Sequence, residues 1–241
     1  LFYKQMPEEL VLPGAIDLCG TGGSGLDRIN TSTISAIMLA SCNVPVAKHG
    51  NKAASGRFGS FDLLEALDLN IMTRKGQLER LYDELGLAFS YARNFHPVFK
   101  HFAPVRQELG IKTIFNILGP LLNPANTQFQ IIGTSNREDM QLIAEAAREL
   151  GKEKVLVLCG RDGLDELTLT GETDVIELRN GRLREYVLTP EDFGFDGVEF
   201  SEIAGGDSKF NISMTHDILN YTCNSQHLNL VLINTALALK F

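Results

Sequence analysis

A glycine-rich stretch followed by hydroxyl side chains is the first feature of this sequence that could do chemistry. The segment CGTGGSGLDRINTST, residues 19–33, has four glycines within six residues and ends with Asn30, Thr31, Ser32 and Thr33. It joins the apolar run AIDLCG, a predicted buried strand, to a helical pattern. Such a loop exposes backbone N–H groups to an anion at the positive end of the helix. The stretch predicts a phosphate site; the alternative is a tight turn with hydroxyls that cap the helix.

The loop does not match the Walker motif of ATP-binding proteins. No Gly-Lys-Ser or Gly-Lys-Thr closes it. This departure counts against an ordinary ATP site.

A second polar turn follows the next predicted strand, VPVAKHGN. The segment KHGNKAASGRFGS, residues 48–60, has three glycines and the basic side chains Lys48, His49, Lys52 and Arg57. Open α/β sheets bind ligands beyond the carboxyl ends of their strands, so two such turns are predicted to form one anion site. Taken singly, His49 and Lys52 would be ordinary surface residues.

Two further segments could complete a site. In GRDGLDELTLTG, residues 160–171, Asp162, Asp165 and Glu166 follow the predicted strand KVLVLCG. Adjacent carboxylates suit Mg²⁺, which often bridges them to substrate phosphates, although such a pair alone is typical of a solvated loop.

Arg106 lies among apolar residues that recur at helical spacing from Phe99. Its guanidinium could clamp a carboxylate beside an aromatic ring, or it could be a surface arginine with a buried stem.

The elements that must position these residues alternate between strand and helix. Strands are predicted at AIDLCG, VPVAKHGN, TQFQIIG and KVLVLCG, and DVIELRNGRLREYV predicts a hairpin that turns at Asn180 and Gly181. Helices are predicted after the first two strands and at residues 77–85, 97–109, 137–150 and 228–239, and no strand is predicted between 77 and 109. The fold class is therefore α/β, with a central, mostly parallel sheet, some antiparallel strands and flanking helices.

Composition excludes several classes of protein. The chain has 241 residues, 44% of them hydrophobic, which can fill a sizeable core, and a net charge of −8, which argues against nucleic-acid binding. The longest apolar run, residues 228–239, is shorter than the roughly 20 residues of a membrane span.

The cysteines and the chain ends lead to two more expectations. The four cysteines contain no CxxC pair, which favours free thiols in a reducing cytoplasm. The start, LFYKQMPEEL, lacks the pattern of a signal peptide. Because the sequence begins with Leu1 and ends within a helical pattern, we expect it to be a fragment.

Together these stretches resemble the anthranilate phosphoribosyltransferase family. DLCGTGGSG, NTST, VPVAKHGNKAASG, GSFDLLEAL, FHPVFKHFAPVRQELGIKTIFNILGPLLNP and GLDELT occur in the family's order and spacing. The resemblance implies the fold of the pyrimidine nucleoside phosphorylases. Residues 1–95 and 126–241 would form the α/β domain, and residues 96–125 a helical segment that packs with a small helical domain. Only a remnant of that small domain would be present, because its N-terminal helices are largely absent.

The resemblance also implies a reaction. Phosphoribose would pass from phosphoribosyl pyrophosphate (PRPP) to anthranilate, a step of tryptophan synthesis, in a cytoplasmic homodimer with two Mg²⁺ per active site. No nucleic-acid or membrane partner is implied.

The residue roles are carried over from the same resemblance. No catalytic residue is assigned. The PRPP ligands would be Gly20, Gly22, Gly23, Ser24, Asn30, Ser32, Thr33, Lys48, Lys52 and Ser60. The anthranilate site would contain Gly20, His49, Asn51, His96 and Arg106. The metal ligands would be Ser32, Asp165 and Glu166.

Three positions depart from the family pattern. Ser24 stands where the family usually has Asp, Arg28 where a small hydroxyl residue is common, and Phe61 where a small residue is usual. Losing a carboxylate and gaining a cation is expected to make the loop more electropositive, and Phe61 is expected to narrow the site.

Two alternatives stay open. One is a nucleoside phosphorylase of the same fold, which would use phosphate in place of pyrophosphate. The other is a non-catalytic relative that binds nucleic acid, which the net charge and the retained carboxylates disfavour.

Overall fold

The computed structural model describes residues 9–53, 58–109, 113–223 and 225–241, apart from the side chains of residues 103, 106 and 107. A seven-stranded sheet with the order β3-β2-β1-β4-β5-β6-β7 forms its centre. Strands β1 to β5 are parallel, and β6 and β7 are antiparallel additions at one edge. The predicted fold class is confirmed. The strands are β1 Ile16–Gly20, β2 Val46–Gly50, β3 Leu87–Tyr91, β4 Phe129–Gly133, β5 Lys154–Gly160, β6 Thr173–Arg179 and β7 Arg182–Leu188.

Helices flank the sheet. They are α1 Thr31–Ser41, α2 Ser60–Ala66, α3 Lys75–Leu85, α4 Ala92–Phe95, α5 Ala103–Leu109, α6 Phe115–Leu121, α7 Arg137–Glu149, α8 Ser208–Leu219 and α9 Gln226–Lys240. The run predicted as a buried helix lies in α9, which packs on α1 and buries Leu230, Ile233 and Leu237. Of the helices in the described residues, none has the length and apolar character that a bilayer crossing requires.

The strand order reverses at β1, and this reversal positions the site. β1 pairs with β2 on one side and with β4 on the other, so the chain leaves it in both directions across the sheet. In open α/β sheets the crevice beyond the carboxyl ends of such strands is where ligands bind. The glycine-rich loop begins at Gly20, the end of β1, and is therefore at this crevice.

The predicted hairpin is confirmed, because Asn180 and Gly181 both have positive φ, 52° and 73°, as a type I′ turn requires.

Two predictions for the middle of the chain are wrong. Strand β3, LAFSY, lies between α3 and α4, where no strand was expected. Its residues are apolar except for Ser90, so the sequence lacks the alternation of apolar and polar residues that marks a strand. The single helix expected at 97–109 is a 3₁₀ helix, Pro97–His101, followed by α5.

Candidate functional site

A cleft of about 1550 Å³ opens at the carboxyl ends of β1 and β2. Its wall includes the whole glycine-rich loop, the first turn of α1, both described parts of the second polar turn and Asp165. Most of the predicted ligand residues are among those that line it: Gly20, Gly22, Gly23, Ser24, Asn30, Ser32, Thr33, Lys48, His49, Asn51, Lys52, Ser60 and Asp165.

The glycines give the loop a path that side chains would block. Gly22, Gly23 and Gly25 have φ values of 67°, 77° and 77°, a backbone region that L-residues with side chains rarely adopt. A Cβ at Gly20 would overlap the Asp165 carboxylate. The loop can therefore approach the carboxylate loop closely while it lines the cleft.

Hydrogen bonds join the loops that sequence analysis expected to converge. The Gly22 N–H donates to Asp165 Oδ2 at 3.0 Å, and the Thr31 hydroxyl donates to Glu166 Oε1 at 3.0 Å. From the second loop, Lys48 Nζ donates to Ser32 Oγ at 3.1 Å. Segments more than a hundred residues apart in sequence thus form one site.

The three predicted metal ligands meet at a small cavity. Ser32, Asp165 and Glu166 all line a space of about 20 Å³ that shares Ser32 and Asp165 with the cleft. Burial raises the pKa of Glu166 to about 7, although the nearby Arg28 guanidinium opposes the rise. No cluster of three or more His, Cys, Asp or Glu side chains suited to a metal occurs in the described residues. Two carboxylates and a hydroxyl fit Mg²⁺, which commonly completes its coordination with water and substrate phosphate oxygens.

Arg28 carries a role that sequence analysis did not assign. Its guanidinium forms an ion pair with Asp165 Oδ1, and its second terminal nitrogen lies 3.3 Å from Asp165 Oδ2. The added cation of the loop is thus paired with Asp165, and the expectation of a more electropositive loop stays a prediction.

Lys48 is a buried cation fixed within the site. Its Nζ donates to the Leu18 carbonyl as well as to Ser32, and only 2% of the residue is exposed. Burial lowers the pKa of Lys48, while the negative charge of Asp17 opposes this shift. Asp17 is itself held by the Asn123 side chain at 2.8 Å. The hydrogen bonds to Leu18 and Ser32 keep the Lys48 side chain in a defined place, and Asp17 provides negative charge nearby.

Two histidines lie one behind the other. The His49 ring is 5.2 Å from the His96 ring, and its Nδ1 is 3.3 Å from the Gly119 carbonyl. Nδ1 therefore donates, which leaves Nε2 as an acceptor, and this buried atom has no hydrogen-bond partner among the described residues. Burial lowers the pKa of His49 to about 3, so its ring is neutral at pH 7. His96 does not line the cleft; its Nε2 lies 2.7 Å from the Leu122 carbonyl.

The other predicted PRPP ligands lie on the cleft wall in different states. Asn30 Oδ1 and Thr33 Oγ1 are buried without a hydrogen-bond partner in the described part of the chain. Lys52 forms an ion pair with Glu65, with its Nζ 2.5 Å from Oε2. Ser60 donates to the Asn51 carbonyl at 3.2 Å. The two partnerless oxygens are the atoms that a ligand would satisfy.

The structure does not support the expectation for Phe61, and it does not describe the side chains of Arg106 and Arg57. Phe61 was expected to narrow the site, and this is wrong: it is fully buried and stacks on Tyr91 in the core, away from the cleft wall. The Arg106 side chain lies outside the described part of the chain, as does Arg57. The predicted clamp on a carboxylate stays a prediction.

One part of the wall was missed. Gly206, Asp207, Ser208 and Asn211, at the start of α8, also line the cleft. The signal was present in AGGDSKF, where a glycine pair precedes Asp207, whose carboxylate caps the helix by accepting from the Phe210 N–H at 2.8 Å.

The fold and this site define a class of protein. Residues 12–241 match the model described as glycosyl transferase family, a/b domain, and the chain belongs to that family.

Particular relatives share one name, anthranilate phosphoribosyltransferase. That of Clostridium kluyveri is 42% identical over 97% of this chain and 70% of its own length. That of Bacillus mycoides is 41% identical over 98% of this chain and 69% of its own length.

Solved structures of proteins with the same name are also similar to this chain. The anthranilate phosphoribosyltransferase of Thermus thermophilus superposes with a TM-score of 0.89 at 38% identity, over 97% of this chain and 70% of the other. The Saccharomyces cerevisiae enzyme in complex with PRPP and Mg superposes with a TM-score of 0.86 at 28% identity, over 98% of this chain and 67% of the other. The yeast enzyme with 4-fluoroanthranilate superposes at 0.85, with 29% identity over 96% of this chain and 64% of the other.

Proposed function

We propose that this chain is an anthranilate phosphoribosyltransferase. It transfers phosphoribose from PRPP to the amine of anthranilate, which gives N-(5-phosphoribosyl)anthranilate and pyrophosphate in tryptophan biosynthesis. The observation that carries the proposal is the contact between the glycine-rich loop and the carboxylate loop, where Gly22 donates to Asp165. A diphosphate site that joins backbone N–H groups to metal-binding carboxylates serves this chemistry.

The loop and Lys48 bind the diphosphate end of PRPP. The loop backbone and the positive end of α1 favour an anion, and the buried side chain of Lys48 adds a hydrogen-bond donor beside them. Asn30 Oδ1 and Thr33 Oγ1, which lack partners in the described residues, are available to ribose hydroxyls or phosphate oxygens. Ser60 and Lys52, which also line the cleft, contact the same substrate.

Ser32, Asp165 and Glu166 would hold Mg²⁺, with two ions per active site. The metal supplies positive charge against the negative charge that develops on the departing pyrophosphate. The protein's part is to keep both carboxylates buried side by side at the end of the glycine-rich loop, so that the charge is stabilised without rearrangement.

The acceptor side of the cleft binds anthranilate through Gly20, His49, Asn51 and Arg106, with His96 placed next to His49. His49 lines the cleft, and its Nε2, an acceptor without a partner among the described residues, suits an N–H of the aromatic amine; the His96 ring lies 5.2 Å from the His49 ring. We assign no general base, because the aromatic amine is already neutral at pH 7 and His49 is a weak base. Orientation of the two substrates supplies much of the rate enhancement.

We further propose that residues 96–125 pack with a small helical domain in a cytoplasmic homodimer. Several apolar side chains of this segment are exposed, including Phe102, Val105, Leu109 and Ile114. Exposed apolar patches of this kind mark surfaces that another domain or chain covers.

Anthranilate fluorescence tests the function directly. The natural full-length protein is mixed with anthranilate, and the loss of fluorescence is followed with and without PRPP and Mg²⁺. We expect consumption only when both are present. Phosphate-dependent nucleoside cleavage without anthranilate consumption would instead establish the nucleoside phosphorylase alternative.

A further inference from the structure

Arg28 is held in place by its backbone. It forms a β-bridge with Ala204, and the Asn211 side chain donates to the Arg28 carbonyl at 3.3 Å. The Gly205 N–H donates to the Asp27 carbonyl at 2.9 Å, and a Cβ at Gly205 would overlap the Arg28 backbone. The base of the side chain is thus fixed at the cleft wall, whereas the guanidinium extends to the carboxylate loop.

Asp165 Oδ1 takes part in the ion pair with Arg28 and has no hydrogen-bond partner among the described residues, whereas Oδ2 accepts two hydrogen bonds. Arg28 pairs with Oδ1 and reaches Oδ2 at 3.3 Å, and the Gly22 N–H donates to Oδ2 at 3.0 Å. The Asp165 side chain is fully buried, while that of Arg28 is 28% exposed and lines the cleft. A ligand that enters the cleft can therefore reach the guanidinium. The Asp165 carboxylate also lines the cleft, but it is not exposed to solvent.

The charges around Asp165 disfavour the binding of a divalent cation while Arg28 is paired with it. With Arg28 in place, the Asp165–Glu166 pair has at most one uncompensated negative charge. A Mg²⁺ ion at Asp165 would also lie beside the guanidinium, and repulsion between them is weakly screened in a buried site. A carboxylate that already accepts an N–H and a guanidinium has fewer free lone pairs for a metal.

We propose that Arg28 competes with Mg²⁺ for Asp165 and moves its guanidinium to the diphosphate when metal and diphosphate bind. This inference rests on the proposed function. Arginine binds phosphate oxygens with two parallel hydrogen bonds, so the diphosphate compensates the ion pair that is lost at Asp165. Metal and diphosphate then enter with positive coupling, and each tightens the binding of the other by the same factor.

Titration with Mn²⁺ in the absence of diphosphate tests the competition. Mn²⁺ affinity is measured by electron paramagnetic resonance for the unchanged protein, for Arg28→Thr and for Arg137→Ala. Arg137 pairs with Asp174, at 3.2 Å, and its removal changes the net charge equally. We expect Arg28→Thr to bind Mn²⁺ at least ten times more tightly and Arg137→Ala to bind it as the unchanged protein does. Equal or weaker binding by Arg28→Thr would overturn the proposal.

Two further measurements keep the test decisive if Arg28→Thr folds poorly. Arg28→Lys retains the positive charge, so we expect it to bind Mn²⁺ within threefold of the unchanged protein; a tenfold gain would overturn the proposal. In the unchanged protein, inorganic pyrophosphate should tighten Mn²⁺ binding at least tenfold. Mn²⁺ binding that pyrophosphate does not change would also overturn the proposal.

These measurements use only metal and pyrophosphate. Failure of anthranilate consumption alone would therefore refute the proposed function and not the competition at Asp165.

Discussion

At the scale of single residues, the site combines a neutral histidine, a buried ammonium and a compensated carboxylate. Each state follows from its surroundings: burial keeps His49 neutral, Asp17 balances Lys48, and Arg28 balances Asp165. A site of this kind holds its donors and acceptors ready before the substrates arrive.

Replacing His49 should change the dependence of stability on pH. The folded-state pKa of His49, about 3, lies below that of an unfolded histidine, so the unfolded chain binds the proton first as pH falls. The free energy of unfolding should decline below pH 6.5, with a His49 contribution of about 1.4 kcal/mol at pH 5.5.

In His49→Gln, the free energy of unfolding should therefore fall less between pH 7.5 and 5.5 than in the unchanged protein. Urea unfolding at both pH values measures this difference. The exposed His216→Gln is the control and should behave like the unchanged protein. An undiminished decline in His49→Gln would show that the ring is not held neutral.

Arg106→Ala should raise the KM for anthranilate and leave the KM for PRPP nearly unchanged. A lost charge-assisted pair costs roughly 1.5–3 kcal/mol, which corresponds to about a 10- to 100-fold rise. Steady-state kinetics with each substrate varied in turn measure the effect, and equal damage to both constants would rule out the carboxylate clamp.

At the scale of elements, the parallel strands bring the chemistry together. β1 and β4 end side by side, and their last residues, Gly20 and Gly133, both lie against Asp165. The absence of side chains at these two strand ends is what allows the carboxylate loop to cover them.

Gly133→Ala should therefore destabilise the fold. A Cβ there would overlap the Asp165 backbone, which cannot move as a side-chain tip can, and overpacking of this kind costs about 1–3 kcal/mol or more. Gly76→Ala is the matched control, because no other atom lies within 4 Å of its new Cβ in helix α3, and it should stabilise by up to about 1 kcal/mol. Urea unfolding measures both, and a neutral Gly133→Ala would contradict the packing.

The sequence predicted most of these elements because periodicity and turn chemistry are local. The glycine-rich loop, the polar turn after β2 and the Asn180–Gly181 hairpin all carry their signals within a few residues. β3 and the pairing of Arg28 with Asp165 are different, since each is decided by a partner distant in the chain. Phe61 is an intermediate case: its helical spacing with Leu64 indicates an apolar face, but its stacking on Tyr91 depends on a partner distant in the chain.

At the scale of the whole molecule, loops from three parts of the chain line one cleft at the reversal point of the sheet, and we propose that the diphosphate binds there. Asp165 and Glu166 are the residues on which metal-dependent chemistry should depend most. The double variant Asp165→Asn, Glu166→Gln should lose Mg²⁺-dependent turnover by at least two orders of magnitude, since stabilisation of developing charge supplies several kcal/mol. The anthranilate fluorescence assay measures turnover, circular dichroism checks the fold, and unchanged turnover would refute the metal role.

A crystal structure of the chain with Mn²⁺ and PRPP tests the central claim most directly. The claim predicts an anomalous Mn²⁺ peak within coordination distance of Asp165 or Glu166, and a diphosphate on the N–H groups of the glycine-rich loop. Diphosphate and metal bound on separate surfaces, away from Gly22, Lys48 and Asp165, would contradict it.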